Sequence, residues 1–270
     1  MRTMAAHAPL TTLTATSLMN AFDVVTKWTA EVNDGGLFWF RGVKDSRLDL
    51  QPGAYWRKDF DEYGPLLDFV QQGRAYADVG DLREWRTYYL AQHHGLPTRL
   101  LDWSESFSAA LFFAMDGWDG VTTPVIWIVR PEMINKISVD WEGIISPEEN
   151  KELDAWLPAG IQEGSKKIAT ADGKWIYDSA LPLAIYPRKD NNRIVAQQGV
   201  FTIHGVEKVK LNEWIVEKRE DHPQIICQVR LEGLDREKSM NQLQTLGLRR
   251  HTMYPDIDNF VSYLKTYYNW

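Results

Sequence analysis

Cysteine is nearly missing: Cys227 is the only one in 270 residues. One thiol excludes an internal disulfide, and its place in the apolar run Ile225-Ile226-Cys227 reads as an inert core thiol rather than a nucleophile. Histidine is sparse too, with six residues of which only His93 and His94 are adjacent. Neighbouring helix positions point about 100° apart and do not converge on one ion, so no metal site is expected. No apolar run approaches the ~18 residues of a spanning helix, and the start Met1-Arg2-Thr3-Met4-Ala5-Ala6-His7 lacks a hydrophobic signal core. The expectation is a cytoplasmic chain with no membrane contact. Nor is there a surplus of positive charge: 30 Lys+Arg stand against 37 Asp+Glu, a formal net charge of −7. That excludes an overall basic nucleic-acid binder and leaves only a local anion site.

What is present is an ordinary globular composition, 44% hydrophobic and 25% charged, with an unusual load of aromatic residues: 12 Trp, 11 Tyr and 10 Phe. Most of these are expected to fill cores. The pass along the chain gives one α+β domain, and the expected architecture is a central mixed, mostly antiparallel sheet flanked by helices. Residues 1–15 read as a flexible N-terminus and 16–270 as the domain. A helix is expected from Thr16 or Ser17 to about Val32, broken by Asp34-Gly35-Gly36, then a short strand from Leu37 to Arg41. Helices over Glu62–Val79 and Leu82–His94 precede a strand or extended turn from Thr98 to Trp103, with Ser104 expected to cap the next helix. Strands are expected at Pro124–Arg130, Leu183–Tyr186, Arg193–Ala196, Gly199–His204 and Gln224–Leu231. Residues 131–180, broken by Gly and Pro, read as a mobile or inserted stretch or a lid.

Four segments carry candidate chemistry. In Phe38-Trp39-Phe40-Arg41-Gly42 an arginine ends a buried strand, where its guanidinium needs an anion, carbonyls or a core aspartate. The run Gln92-His93-His94-Gly95-Leu96-Pro97-Thr98-Arg99-Leu100-Leu101-Asp102-Trp103-Ser104 offers an Arg99–Asp102 pair across a turn. Arg193 to Gln197-Gln198-Gly199-Val200-Phe201 places two amides in a strand-like segment, facing a cleft or bonded to backbone. Tyr254-Pro255-Asp256-Ile257-Asp258 suits a helix N-terminus.

In this order the segments resemble the FRG domain family, named for its Phe-Arg-Gly motif, over about Phe38 to Phe260. The most specific part is Gln92 to Ser104, followed by Ala109, Ala110, Phe112, Phe113 and Ala114. A second resemblance is to ADP-ribosyltransferases of the Arg-Ser-Glu type, through Arg41-Gly42, then Ser104 before an Ala-rich helix, then Gln197-Gln198 in a later strand. It implies an ADP-ribosyltransferase-like fold, NAD as substrate and a macromolecular acceptor, as in an intracellular toxin or anti-phage effector.

By that resemblance the catalytic set is Arg41, Asp102, Ser104 and Gln198, and the cofactor-binding set is Arg41, Gly42, Arg99, Trp103 and Gln197. Arg41 would hold a phosphate or ribose of NAD, Ser104 the nicotinamide ribose, and Trp103 would stack near the nicotinamide. The sequence departs from the transferase pattern by carrying Gln197 and Gln198 where a catalytic Glu is expected. A neutral amide supplies no charge to a developing oxocarbenium ion, so Asp102 is the substitute candidate. The other reading is a non-catalytic module that binds a nucleotide or nucleic-acid end through Arg41, Arg57, Arg99 and Arg193 with Trp or Tyr stacking.

Overall fold

The structure, a computed structural model, describes residues 9–32, 35–162, 164–170, 173–219 and 224–270. The expected break at Asp34 and the first eight residues lie outside the described residues. In chain order the elements are β1 (Thr11–Ala15), α1 (Leu18–Val32), β2 (Trp39–Val43), α2 (Tyr63–Gly73), α3 (Trp85–His93), β3 (Leu100–Ser104), α4 (Phe107–Met115), β4 (Val125–Val129) and α5 (Pro131–Val139). There follow α6 (Pro158–Ile161), β5 (Lys167–Ala169), β6 (Ile176–Asp178), β7 (Leu183–Ile185), α7 (Asn192–Gln197), β8 (Gly199–Ile203) and α8 (Leu211–Lys218). The chain ends in β9 (Ile226–Leu231), α9 (Arg236–Thr245), α10 (Arg250–Met253) and α11 (Ile257–Tyr267).

Seven strands form one sheet in the order β1-β9-β4-β2-β3-β8-β7, while β5 and β6 make a separate hairpin. Only β1 and β9 pair in parallel; every other neighbour in the large sheet is antiparallel. The fold is therefore mixed α and β around a mostly antiparallel sheet, as expected.

Alternation along the strands sorts the core. Trp39, Leu101, Trp103, Val125 and Trp127 face one way, under Ile134 of α5 and Leu211, Trp214 and Ile215 of α8. Phe40, Ile126, Ile128, Cys227 and Val229 face the other way, under α1 and the small-residue stripe Ala110, Leu111 and Ala114 of α4. Beyond β3 a further cluster joins Leu100, Phe201 and Ile203 to Trp85, Tyr88 and Tyr89 on one flank and to Leu153 and Trp156 on another.

Three expectations are corrected here, and a fourth, on residues 131–180, is set beside its packing. Thr11–Ala15, expected to fray, is an edge strand whose five residues pair with Cys227 to Leu231; its Thr-rich sequence suits a pleated, half-buried surface. Arg193–Ala196, expected as a strand, is helical, because Asn191 caps α7 by accepting from the Ile194 amide at 2.8 Å. The cap of α4 is Ser106 rather than Ser104, which ends β3. Residues 131–180, expected as a mobile or inserted stretch or lid, supply Ile134, Leu153 and Trp156, each 0% exposed, to the core.

Candidate functional site

The sheet is nearly split at its middle. β2 pairs with β4 through five positions but with β3 through one, Phe40 with Ser104. Past that bridge the carbonyl of Asp102 accepts a hydrogen bond from the Arg41 guanidinium at 2.7 Å instead of completing a ladder. A cleft of about 330 Å³ opens there, lined by Arg41, Gly42, Asp102, Ser104, Gln197 and Tyr254 among others.

Gly42 is required by packing. A Cβ at this position would lie 1.8 Å from the carbonyl oxygen of Ala110 and 2.6 Å from the amide nitrogen of Ala114. The Arg-Gly pair on β2 and the alanines of α4 are thus two halves of one contact, and that contact sets where Arg41 leaves the sheet.

The Arg41 side chain is 27% exposed and its Nη1 lies 3.9 Å from Asp102 Oδ2. Beyond the bond to the Asp102 carbonyl, its donors meet no protein acceptor among the described residues. Burial lowers its pKa from the ordinary arginine value, partly opposed by the Asp102 charge; a guanidinium stays protonated at neutral pH regardless. Asp102 is 58% exposed and accepts from Gln92 Nε2 at 2.9 Å. Thr98 Oγ1 donates to Gln92 Oε1 at 2.5 Å, which turns the amide of Gln92 toward the carboxylate. Gln92 and Thr98, ten residues and four residues before Asp102, thus orient it from the end of α3 and the turn that follows.

At the other wall, Arg193 lies over the Tyr254 ring at 4.8 Å and donates to the His93 carbonyl at 2.9 Å. Arg250 lies over the same ring at 5.4 Å and pairs with Asp116 at 3.1 Å. Gln197 donates to the Met253 carbonyl at 2.9 Å, tying α7 to the segment before Tyr254. Lys44, Phe113 and Asp116 complete the lining. The cleft therefore combines guanidinium groups, aromatic faces and two carboxylates, the equipment for a planar anion.

The expected site residues divide. Arg41, Gly42, Asp102, Ser104, Trp103 and Gln197 all border the cleft. Trp103 does so without offering its ring: it is 3% exposed, faces the core beside Leu101, and donates its indole N–H to Thr202 Oγ1 at 3.2 Å. The Ser104 hydroxyl is engaged twice, donating to the Gln197 carbonyl at 2.6 Å and accepting from the Ser106 amide at 2.9 Å. Gln198 is exposed at the left-handed C-cap of α7, with φ of 47°, and does not line the cleft.

Arg99 does not line the cleft, and it pairs with Glu62 rather than Asp102. Its guanidinium is 5% exposed, meets Glu62 at 2.5 Å, and donates to the carbonyls of His204 at 2.6 Å and of Trp156. Tyr88 donates to the same Glu62 at 2.7 Å and accepts from the Arg99 amide at 2.8 Å. Arg57, exposed at the protein surface, is also away from the cleft. Gln92, Phe113, Asp116 and Tyr254 are the lining or orienting residues that sequence reasoning did not assign a site role.

No helix among the described residues is long and apolar enough to cross a membrane, and no group of three or more His, Cys, Asp or Glu gathers there as a metal set would. No curated protein and no solved structure matches the chain. The FRG domain matches residues 36–119, a shorter stretch than Phe38 to Phe260, and it contains Arg41, Gly42, Gln92, Asp102, Ser104 and Asp116. Arg193, Gln197 and Tyr254 lie beyond the matched stretch but complete the same cleft. Over residues 36–119 the chain thus matches the FRG domain, the family that its Phe-Arg-Gly segment resembles.

Proposed function

We propose that the cleft binds a nucleotide of the NAD class, with Arg41 as its phosphate anchor and Tyr254 or Phe113 as a face for a planar ring. The supporting observation is Arg41 itself: a largely buried guanidinium with spare donors, turned into a cleft whose volume of about 330 Å³ falls in the range of small-molecule sites. Asp102 at 3.9 Å offsets part of that charge and leaves guanidinium donors for an incoming anion.

A second reading, transfer of ADP-ribose, is favoured by one observation: Asp102 is an exposed carboxylate in the cleft whose orientation Gln92 and Thr98 set. In that reaction the bond between ribose C1′ and nicotinamide nitrogen breaks and nicotinamide leaves with the electron pair. Asp102 steadies the oxocarbenium ion, and water or a macromolecular acceptor adds to C1′ and gives up its proton. The committed hydroxyl of Ser104 and the outward Gln198 weigh against a transferase of the Arg-Ser-Glu pattern, so binding is the primary reading.

Calorimetric titration with NAD, ADP-ribose and ADP tests it. Wild type is expected to bind at least one of them, and Arg41→Ala to bind about 10- to 100-fold more weakly, the worth of a charge-assisted contact. Absence of binding by all three overturns the nucleotide reading. Nicotinamide release that disappears in Asp102→Asn would establish cleavage of NAD, and ADP-ribose found on a macromolecule would establish transfer; binding without release would leave the module non-catalytic.

A further inference from the structure

The last helix is an anomaly of packing. α11 buries none of its residues, although it carries Phe260, Tyr263 and Tyr267 on one side. Residues spaced three or four apart share a helix face, so these rings form a stripe. The stripe continues in both directions as a chain of ring contacts. His251 meets Tyr263 at 4.1 Å, Tyr263 meets Tyr267 at 5.9 Å, Tyr267 meets Tyr268 at 5.1 Å, and Tyr268 stacks on Trp270 at 5.4 Å. Tyr267 is 66% and Trp270 86% exposed.

Two features set this stripe apart from an ordinary apolar patch. Arg249 lies over the Tyr263 ring at 6.0 Å, and the next residue, Arg250, lies over Tyr254 at the cleft wall. Arg250 is paired with Asp116 at 3.1 Å, whereas Arg249 makes no ion pair among the described residues, on a chain whose net charge is −7. Asp256 caps α11, its exposed side chain accepting from the Asn259 amide at 2.8 Å.

We propose that this stripe docks single-stranded nucleic acid, its bases stacking on Tyr263, Tyr267 and Trp270 while Arg249 meets a phosphate. Exposed rings beside guanidinium groups are the means by which proteins hold unpaired bases without sequence preference, because every base has a π face. Arg249, beside Tyr263 and outside any ion pair among the described residues, supplies the local anion complementarity that the whole chain lacks. The stripe is separate from the cleft and stands whatever the cleft binds.

The test uses the full chain and fluorescein-labelled oligonucleotides of about twelve residues, within the span of known single-strand sites. Oligo-dT and oligo-rU are compared with a duplex of equal length by anisotropy at two salt concentrations. The single strands are expected to bind and the duplex to bind more weakly; a preference between dT and rU tells which nucleic acid is held. Tyr267→Ala and Trp270→Ala, at exposed positions that leave the core untouched, are each expected to weaken binding about tenfold. Arg249→Ala is expected to flatten the salt dependence by about one counterion. NAD titration of Trp270→Ala is expected to match wild type, so failure at the stripe and failure at the cleft are read separately. No oligonucleotide binding, or binding indifferent to both ring variants, overturns the proposal. So does sedimentation showing a dimer that Trp270→Ala or Ile257→Ser dissolves, which would make the stripe a contact between copies.

Discussion

Arg41 and Arg99 are both arginines of the FRG stretch, on adjoining parts of the sheet, yet they live in opposite circumstances. Around Arg99 the protein supplies everything: the Glu62 carboxylate, two carbonyls, and Tyr88 as a second donor to that carboxylate. Around Arg41 it supplies one carbonyl and a carboxylate 3.9 Å away, then leaves space. A motif arginine is structural when the fold brings its own anion and available for binding when the fold stops short. Sequence position alone does not separate the two.

That contrast breaks first, if it is wrong, at Arg99. Arg99→Ala leaves Glu62 buried without its cation and is expected to cost about 3–5 kcal/mol in urea denaturation. A loss below ~1 kcal/mol would mean that the Glu62 network is not a structural pair. His204, 0% exposed beside Arg99, comes next. Burial, then the charges of Arg99 and Arg41, depress its pKa from 6.5 to about 3. Between those values the unfolded chain takes up a proton that the folded chain refuses. Stability is therefore full above about pH 6.5 and is expected to fall by about 1.4 kcal/mol per unit as pH drops toward 3. Denaturation midpoints across that window should show a shallower fall in His204→Gln, and an unchanged slope would refute the assignment.

Gly42→Ala sharpens the cleft side. Its Cβ would meet backbone of α4, which cannot swing aside as a side chain does, and a loss of about 1–3 kcal/mol is expected. Ligand affinity should fall with it, because β2 and α4 then separate at the Arg41 position; a tolerated methyl group would show that the contact is looser than drawn. The smallest effect on stability is expected at Arg41. Arg41→Ala should change it by less than ~1 kcal/mol while weakening ligand most, the reverse of Arg99→Ala. A large stability loss at Arg41 would make both arginines structural and end the contrast.

Much of this was legible in the sequence, and the failures have physical causes. The apolar runs Pro124–Arg130 and Gln224–Leu231 read as strands, and the structure has them as β4 and β9. A period of two, applied to Leu100 to Ser104, separates Leu101 and Trp103 from Asp102, so the burial of the Trp103 ring was readable but outweighed by its nearness to the motif. Asn191 before Arg193 is a helix-start signal that turns Gln197 and Gln198 out of a strand. The Arg99–Glu62 pair was not readable, because it depends on where α2 comes to rest against β3. Nor was the role of Gln92, which exists only when the Leu96-Pro97-Thr98 turn folds Thr98 back onto its amide.

The pairing of β1 with β9 has a consequence for how the chain is made. Thr11 finds its partner in Cys227, near the other end of the sequence, so the edge strand leaves the ribosome long before its template exists. β2 and β3, within the FRG stretch, likewise wait for β4 and β8, which lie outside it. Contacts so distant along the chain are closed late and slowly. The family's matched stretch is thus a unit of recognition that acquires its shape only when the far half of the chain arrives to brace it.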